Sequence, residues 1–322
     1  MLSSRLIRAA LAAAVLLTAC TADATPPDAN SDATPETNPA VAVVDFVASV
    51  VVPYQREAAA TASDLRDAAA ALCAEPSDAA LDTARTAWAA VDVARAAARM
   101  VGPGPTTDPV SVAEIDGLGT IELLLFGDGS EALADADDGG DARPCDHLVT
   151  ATGEVARATD EVLALWVDGD DEHAPFADVL TSRAAVGRST EQALDEIVAV
   201  QLAELDRLLD EWLGPDATTE GSAGNGRAHL SAALGALEDT YGEMTALGPL
   251  LPPAQHESVR ATIRAAVDLV QGTVGPLTEL DEIGRNDLRG ALEAVEVGLR
   301  TDVAPAFGLH GRTDESATPD AG

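Results

Sequence analysis

The sequence predicts an all-α protein, and three observations carry that prediction. Only 3% of the residues are aromatic, while Ala, Leu and Val dominate a chain that is 47% hydrophobic. Small and straight side chains let helices pack closely, whereas strand-rich folds draw more on β-branched and aromatic residues. From Val41 onward the apolar positions recur at the helical period. Ser77 stands where a helix cap belongs, and Gly102, Gly127 and Gly214 stand where helices stop. At 322 residues the chain is long enough for one large or two modest domains, each with a real core.

Residues 1–19 place Arg5 and Arg8 ahead of the apolar run Ala9 to Leu17, a secretion signal too short to span a bilayer. The run ends in Leu17-Thr18-Ala19-Cys20, which resembles the bacterial lipobox, where cleavage leaves an acylated Cys at the new N-terminus. The alternative is an ordinary secreted protein in which Cys20 is incidental. Residues 20–39 are rich in Thr, Pro, Asp, Ala and Asn without apolar periodicity and read as a disordered tether.

The helical part covers residues 40–314, with 315–322 as a disordered tail. Its first helix carries Val44, Val47, Val51, Leu65 and Leu72, with Pro53 marking a start or a kink. Ser77 caps a second helix striped by Leu81, Ala84, Trp88, Val91 and Ala98 and ended by Gly102-Pro103-Gly104-Pro105. A short third helix runs from Gly117 to a stop at Gly127. A fourth runs from about Asp146 to Trp166, with Leu148, Val155, Val162 and Leu163 on its apolar face. The loop from Asp168 to Pro175 separates the halves, Pro175 suiting the first turn of a new helix. That helix follows Leu180, Leu194, Ile197, Leu202, Leu205, Leu208, Leu209 and Trp212, with a break near Gly187 and a stop at Gly214-Pro215. Helices around Ala228 to Leu247, Pro253 to Val274 and Leu277 to Phe307 complete the chain. Eight helices in two sets of four predict paired four-helix bundles, about 40–168 and about 175–308, although no residue-level repeat relates the halves.

The third helix organises the rest. Ile115, Leu118, Ile121, Leu125 and Phe126 make it apolar, yet Glu122 sits inside the run, where an ionised side chain needs a metal or an Arg partner. This segment resembles the signature of the imelysin family of bacterial cell-envelope proteins, G-x-H-x-x-E followed by an apolar run ending in Gly. Gly117 and Glu122 match, and Gly119 stands where the family has His. Val51-Val52-Pro53-Tyr54, the run Leu72-Cys73-Ala74-Glu75-Pro76-Ser77 with Trp88 after it, Arg143-Pro144-Cys145, and the close Phe307-Gly308-Leu309-His310-Gly311 also resemble family stretches. The resemblance extends over about residues 41–314 and is fuller in the first half. It implies two four-helix bundles exported to the cell envelope, often linked to iron acquisition.

Cys73 and Cys145 are the two cysteines left after lipidation. In an oxidising compartment they either bridge two helix ends or remain as buried thiols. A bridge would stabilise by about 4 kcal/mol on the chain-entropy model.

Charge narrows the partners. Nineteen basic residues, all Arg, face 55 acidic ones for a formal net charge of −36. A duplex nucleic acid would be repelled, whereas cations would be attracted, and the absence of Lys excludes Schiff-base chemistry. The expected membrane contact is the lipid anchor, on the outer membrane facing the periplasm or at the cell surface.

For chemistry, the resemblance implies a His and a Glu three residues apart, suited to metal ligation or to acid–base work. With Gly119 in place of His, one arm remains. Asp116 and Glu122 together offer an all-oxygen site for a hard cation such as calcium or iron. Alternatively, Glu122 pairs with Arg95 or Arg99 on the neighbouring helix. His147, His173, His229, His256 and His310 are scattered and read as surface or capping residues. The acidic loop of Asp135, Asp137, Asp138 and Asp141 lacks EF-hand order and reads as solvated. No H-E-x-x-H, nucleophile elbow or convincing Ser-His-Asp set is present. The expectation is therefore a non-catalytic, membrane-anchored protein that binds a metal ion or metal-bearing ligand and is linked to iron uptake. The alternatives are a metallopeptidase of the family and a structural envelope protein.

Overall fold

A computed structural model describes residues 38–102, 117–127, 133, 143–169, 174–181, 189–214, 224–242 and 247–309. The leader, Cys20, the tether through residue 37, Ile115, Asp116, the acidic loop, His173, Gly187, His310 and the tail lie outside these residues, whereas Asn38 and Pro39, expected in the tether, already open the first helix. Among the described residues there are helices and no strands.

The chain enters through α1 (Pro39–Phe46), capped by the Asn38 side chain, and passes through a π turn (Val47–Val51) into α2 (Val52–Ala74). The π turn answers the choice between a start and a kink at Pro53. Proline cannot donate to the carbonyl four residues back and its ring crowds it, so the chain widens by one residue just ahead, the Val52 amide reaching Val47. Helical hydrogen bonding therefore runs on through the proline. The same device recurs near the end, where the π turn Leu299–Val303 precedes Pro305 and the Ala304 amide reaches Leu299.

Next come α3 (Asp78–Val101), α4 (Gly117–Phe126) and α5 (Arg143–Val167). Ser77 caps α3 by accepting from the Ala80 amide, as its position in the sequence requires. The long helix of the second half is two pieces, α6 (Phe176–Thr181) and α7 (Thr190–Leu213). Ser189 and Gln192 form a reciprocal capping box that opens α7. Pro175 sits just before α6 rather than inside its first turn. Then α8 (Gly226–Tyr241), α9 (Pro253–Gly272), α10 (Glu282–Gly298) and the short α11 (Ala304–Ala306) follow.

These helices form two four-helix bundles. In the first, α2 packs along α3 and α5, and α4 lies against α5 and α3. Its core holds Leu65, Leu72, Leu81, Trp88, Val91, Leu118, Ile121, Leu125, Leu148 and Val155. In the second, α8 packs on α9, α9 on α10 and α10 on α7. Its larger core runs from Ile197, Leu205 and Leu208 through Leu234, Leu237 and Ile263 to Leu292 and Val295. The described helices belong to one compact unit.

The two cores share α3. Its first half, through Leu81 and Val91, serves the small core, while Ala96, Ala97, Met100 and Val101 serve the large one. α1 also packs into the large core through Val43 and Phe46, leaving Val44 on the exposed side. Cys73, near the end of α2, is joined to Cys145, near the start of α5, with Cα atoms 5.6 Å apart.

Candidate functional site

A cavity of about 230 Å³ opens where α3 passes from one bundle to the other, walled by α3, α4, α7 and the start of α8. Helical spacing builds each wall. Trp88, Asp92, Arg95 and Arg99 are separated by four, three and four residues, which places them on one face of α3. Gly119 and Glu122, three apart, do the same on α4. Arg207, Glu211 and Trp212 come from α7, and Asn225 and His229, four apart, from the start of α8.

The floor is a chain of charge-assisted hydrogen bonds that links three helices. Asn225 Nδ2 donates to Asp92 at 2.9 Å, and His229 Nδ1 lies 3.1 Å from both Asp92 oxygens. A carboxylate only accepts, so Nδ1 carries the proton, and Nε2 accepts from Arg207 Nη2 at 3.1 Å. Arg207 then grips Glu204 through Nε at 2.9 Å and Nη2 at 2.5 Å, and its remaining terminal nitrogen meets Glu211. Glu204 is only 5% exposed, and Arg99 Nε approaches it from α3 at 3.3 Å. The buried carboxylate is thus neutralised from two sides, which its desolvation requires.

Electrostatics follow the geometry. Burial works against the Asp92 anion, but the hydrogen bonds from His229 and Asn225 and the nearby Arg95 outweigh it. They hold the carboxyl below its ordinary value. Burial likewise opposes the Arg207 charge, and the bond and charge of Glu204, with help from Glu211 and Asp92, raise its pKa above the ordinary value.

The sequence-predicted residues fall as follows. Gly117 opens α4, and Gly119 and Glu122 line the cavity together with Arg95 and Arg99. Glu122 is half-buried on the cavity wall rather than sunk in an apolar core, because the alternation of the helix turns Leu118, Ile121 and Leu125 inward. Leu123, beside it, is 65% exposed. A Cβ added at Gly119 would meet nothing within 4 Å, so the position where the resemblance has His faces open space.

One expectation is corrected. His229 is neither a surface nor a capping residue: it is 6% exposed, bonded on both ring nitrogens, and its ring centroid lies 5.2 Å from that of Trp212. His256 does cap, with Nε2 2.8 Å from the Tyr241 carbonyl at the end of α8, and His147 is exposed near the start of α5. Sequence reasoning missed Asp92, Glu204, Arg207, Glu211, Asn225 and Trp212. The available signal was polar residues recurring at three and four on helices whose other faces are apolar.

A directly ligated metal does not fit the described residues. Among them, no three His, Cys, Asp or Glu side chains stand close enough to hold an ion. Asp92 and Glu211 are already engaged, and three arginines line the same cavity. Asp116, the second carboxylate of the expected site, lies outside the described residues, and the arginines beside Glu122 disfavour a bare cation on that side chain alone.

An imelysin family model matches residues 95–301, which include the second bundle and the cavity residues from Arg95 onward. The chain belongs to the imelysin family. Among solved structures, an imelysin-like protein from Psychrobacter arcticum 273-4 superposes with a TM-score of 0.67 at 18% identity, covering 84% of this chain and 96% of that one. A protein from Parabacteroides distasonis ATCC 8503, named as an iron-regulated protein A precursor, superposes with a TM-score of 0.64 at 14% identity, covering 86% and 97%. At those identities the imelysin likeness is one of fold. No functionally curated protein matches the sequence.

Proposed function

We propose that this imelysin-family chain is a non-catalytic, lipid-anchored envelope protein that captures a metal-bearing ligand in the cavity between its bundles and serves iron uptake. One observation carries the reading: a cavity of about 230 Å³, lined by Glu122 and three arginines, sits where the family motif lies and has open space at Gly119. Because the cavity's own carboxylates are engaged, the metal would arrive already held by the ligand's donors, and the protein would read the ligand. The iron-regulated name of a structural neighbour supports the link to iron. Leu17-Thr18-Ala19-Cys20 supports the anchor, and among the described residues no helix is long and apolar enough to cross a membrane. Several acyl chains, at about 0.8 kcal/mol per buried methylene, would hold such a protein on the bilayer.

The peptidase alternative requires a water activated by fixed ligands and a nearby base. Gly119 removes one of the two motif side chains that would supply them. The deciding experiment incubates purified protein with an unfolded protein substrate in the presence of zinc, iron or calcium. No cleavage is expected, and cleavage that disappears in Glu122→Gln would overturn the non-catalytic reading. Mass spectrometry of protein from native membranes tests the anchor; an unmodified N-terminus other than Cys20 would remove it.

A further inference from the structure

Within the cavity, the side chains divide into those that are saturated and those with donors to spare. Every nitrogen of Arg207 is engaged by Glu204, Glu211 or His229, and both oxygens of Asp92 are taken by Asn225 and His229. Those groups form a closed floor with nothing left to offer a ligand. Arg99 differs: it is 47% exposed, and among the described residues only its Nε is paired, with Glu204 at 3.3 Å. Its two terminal nitrogens remain as a planar fork at the cavity wall, the geometry that matches a carboxylate or phosphate bidentately. Trp212 adds a further donor without an acceptor, since its buried indole N–H has no hydrogen-bond partner among the described residues. Arg99 therefore brings the spare donors to this cavity wall.

The distribution of charge points the same way. The chain has 19 arginines in 322 residues and a formal net charge of −36, yet at this one cavity three arginines, Arg95, Arg99 and Arg207, equal in number the carboxylates Asp92, Glu122 and Glu211. Two of them, Arg95 and Arg99, stand one helical turn apart on the wall facing Gly119 and Glu122. Trp88 and Trp212, with Leu118 and Ala96, supply the apolar part of the lining.

We infer that the cavity recognises the anionic oxygen arm of its ligand, a carboxylate of an organic acid, through the Arg99 guanidinium with Arg95 beside it. The inference rests on the binding reading above and deepens it: a metal would enter as a carboxylate complex, and the metal-free acid would compete for the same place. A bulky arm has room because Gly119 leaves the opposite wall open. Phosphate offers similar oxygen geometry, so inorganic phosphate serves as the comparison that separates a general anion site from a carboxylate site.

The test is isothermal titration of the full purified protein with citrate, ferric citrate, inorganic phosphate, and Fe³⁺ or Ca²⁺ without a chelator. The variants are Arg99→Gln and Arg99→Lys, with Arg66→Gln as a surface control. Citrate and ferric citrate are expected to bind competitively. Arg99→Gln should weaken both by roughly tenfold or more, the effect of one lost charge-assisted fork. Arg99→Lys should fall between, and Arg66→Gln should match the wild type. Equal binding by wild type and Arg99→Gln would overturn the inference, as would phosphate binding more tightly than citrate. Binding of the bare cation alone would overturn it while leaving a binding function standing. No binding of any of these probes would overturn the binding reading itself. Circular dichroism of each variant confirms that a lost signal is not a lost fold.

Discussion

The two bundles of this protein are held by different means. The small bundle is apolar through its core, and its ends are tied covalently by Cys73–Cys145 across a separation of 72 residues. The large bundle has no such tie among the described residues. It instead buries polar groups, with Tyr241 donating to Gln201 at 2.7 Å inside the core and the Glu204–Arg207–His229–Asp92 chain at its edge. Apolar packing with a staple fixes a shape, whereas a buried polar chain fixes which helix face meets which, because any other register leaves a charge unpaired. The cavity lies where these two kinds of order meet. Its outer wall, α4, belongs to the stapled bundle, and its floor belongs to the polar chain.

The largest effect should come from the polar side. Arg207→Met leaves Glu204 buried with Arg99 alone, and breaking such a pair costs about 3–5 kcal/mol. Urea unfolding measures it, and Glu204→Gln in the same chain should recover much of the loss. If the double variant is no better than the single, Glu204 is not the group left unpaired. On the stapled side, Cys73→Ser with Cys145→Ser should cost about 4 kcal/mol by the chain-entropy estimate for a loop of 72 residues. A loss that also abolishes citrate binding would mean that α4 depends on the staple for its place; unchanged stability would mean the bridge is not formed.

The acid limb of stability sharpens the contrast further. The folded pKa of Asp92 is depressed, so its contribution is fully present above its ordinary carboxyl value. It is lost as pH falls through the lower folded value. Stability should therefore decline below about pH 4, and Asp92→Asn should flatten that decline while lowering stability at neutral pH. An acid limb unchanged in Asp92→Asn would show that other carboxylates control it. The smallest effect belongs to the cavity wall. Gly119→Ala places a Cβ in open space and should stabilise α4 by up to about 1 kcal/mol. Destabilisation instead would mean that the wall is closed in solution.

Much of the fold could be read in the sequence because its signals are local. Ser77 caps a helix wherever it is followed by an apolar stripe, and Leu65, Leu72, Ile121 and Leu125 are buried because their spacing leaves no other face. The cavity was only half legible. Glu122 and the arginines of α3 announce themselves as charges on apolar helices. His229 does not, since a single histidine at a helix start has no local feature that separates a cap from a buried network member. What decides its role is Asp92, 137 residues earlier in the chain, and Arg207, 22 residues earlier. Likewise the π turn before Pro53 depends on how much the core rewards a continuous helix, which no window of sequence contains.

The most direct measurement is a crystal structure of the protein grown with ferric citrate. The account predicts a citrate carboxylate within hydrogen-bond reach of the Arg99 terminal nitrogens, the iron held by citrate oxygens, and the Asp92–His229–Arg207 floor unchanged. An iron ion stripped of citrate and ligated directly by Glu122 would contradict it, as would citrate seated anywhere else on the molecule.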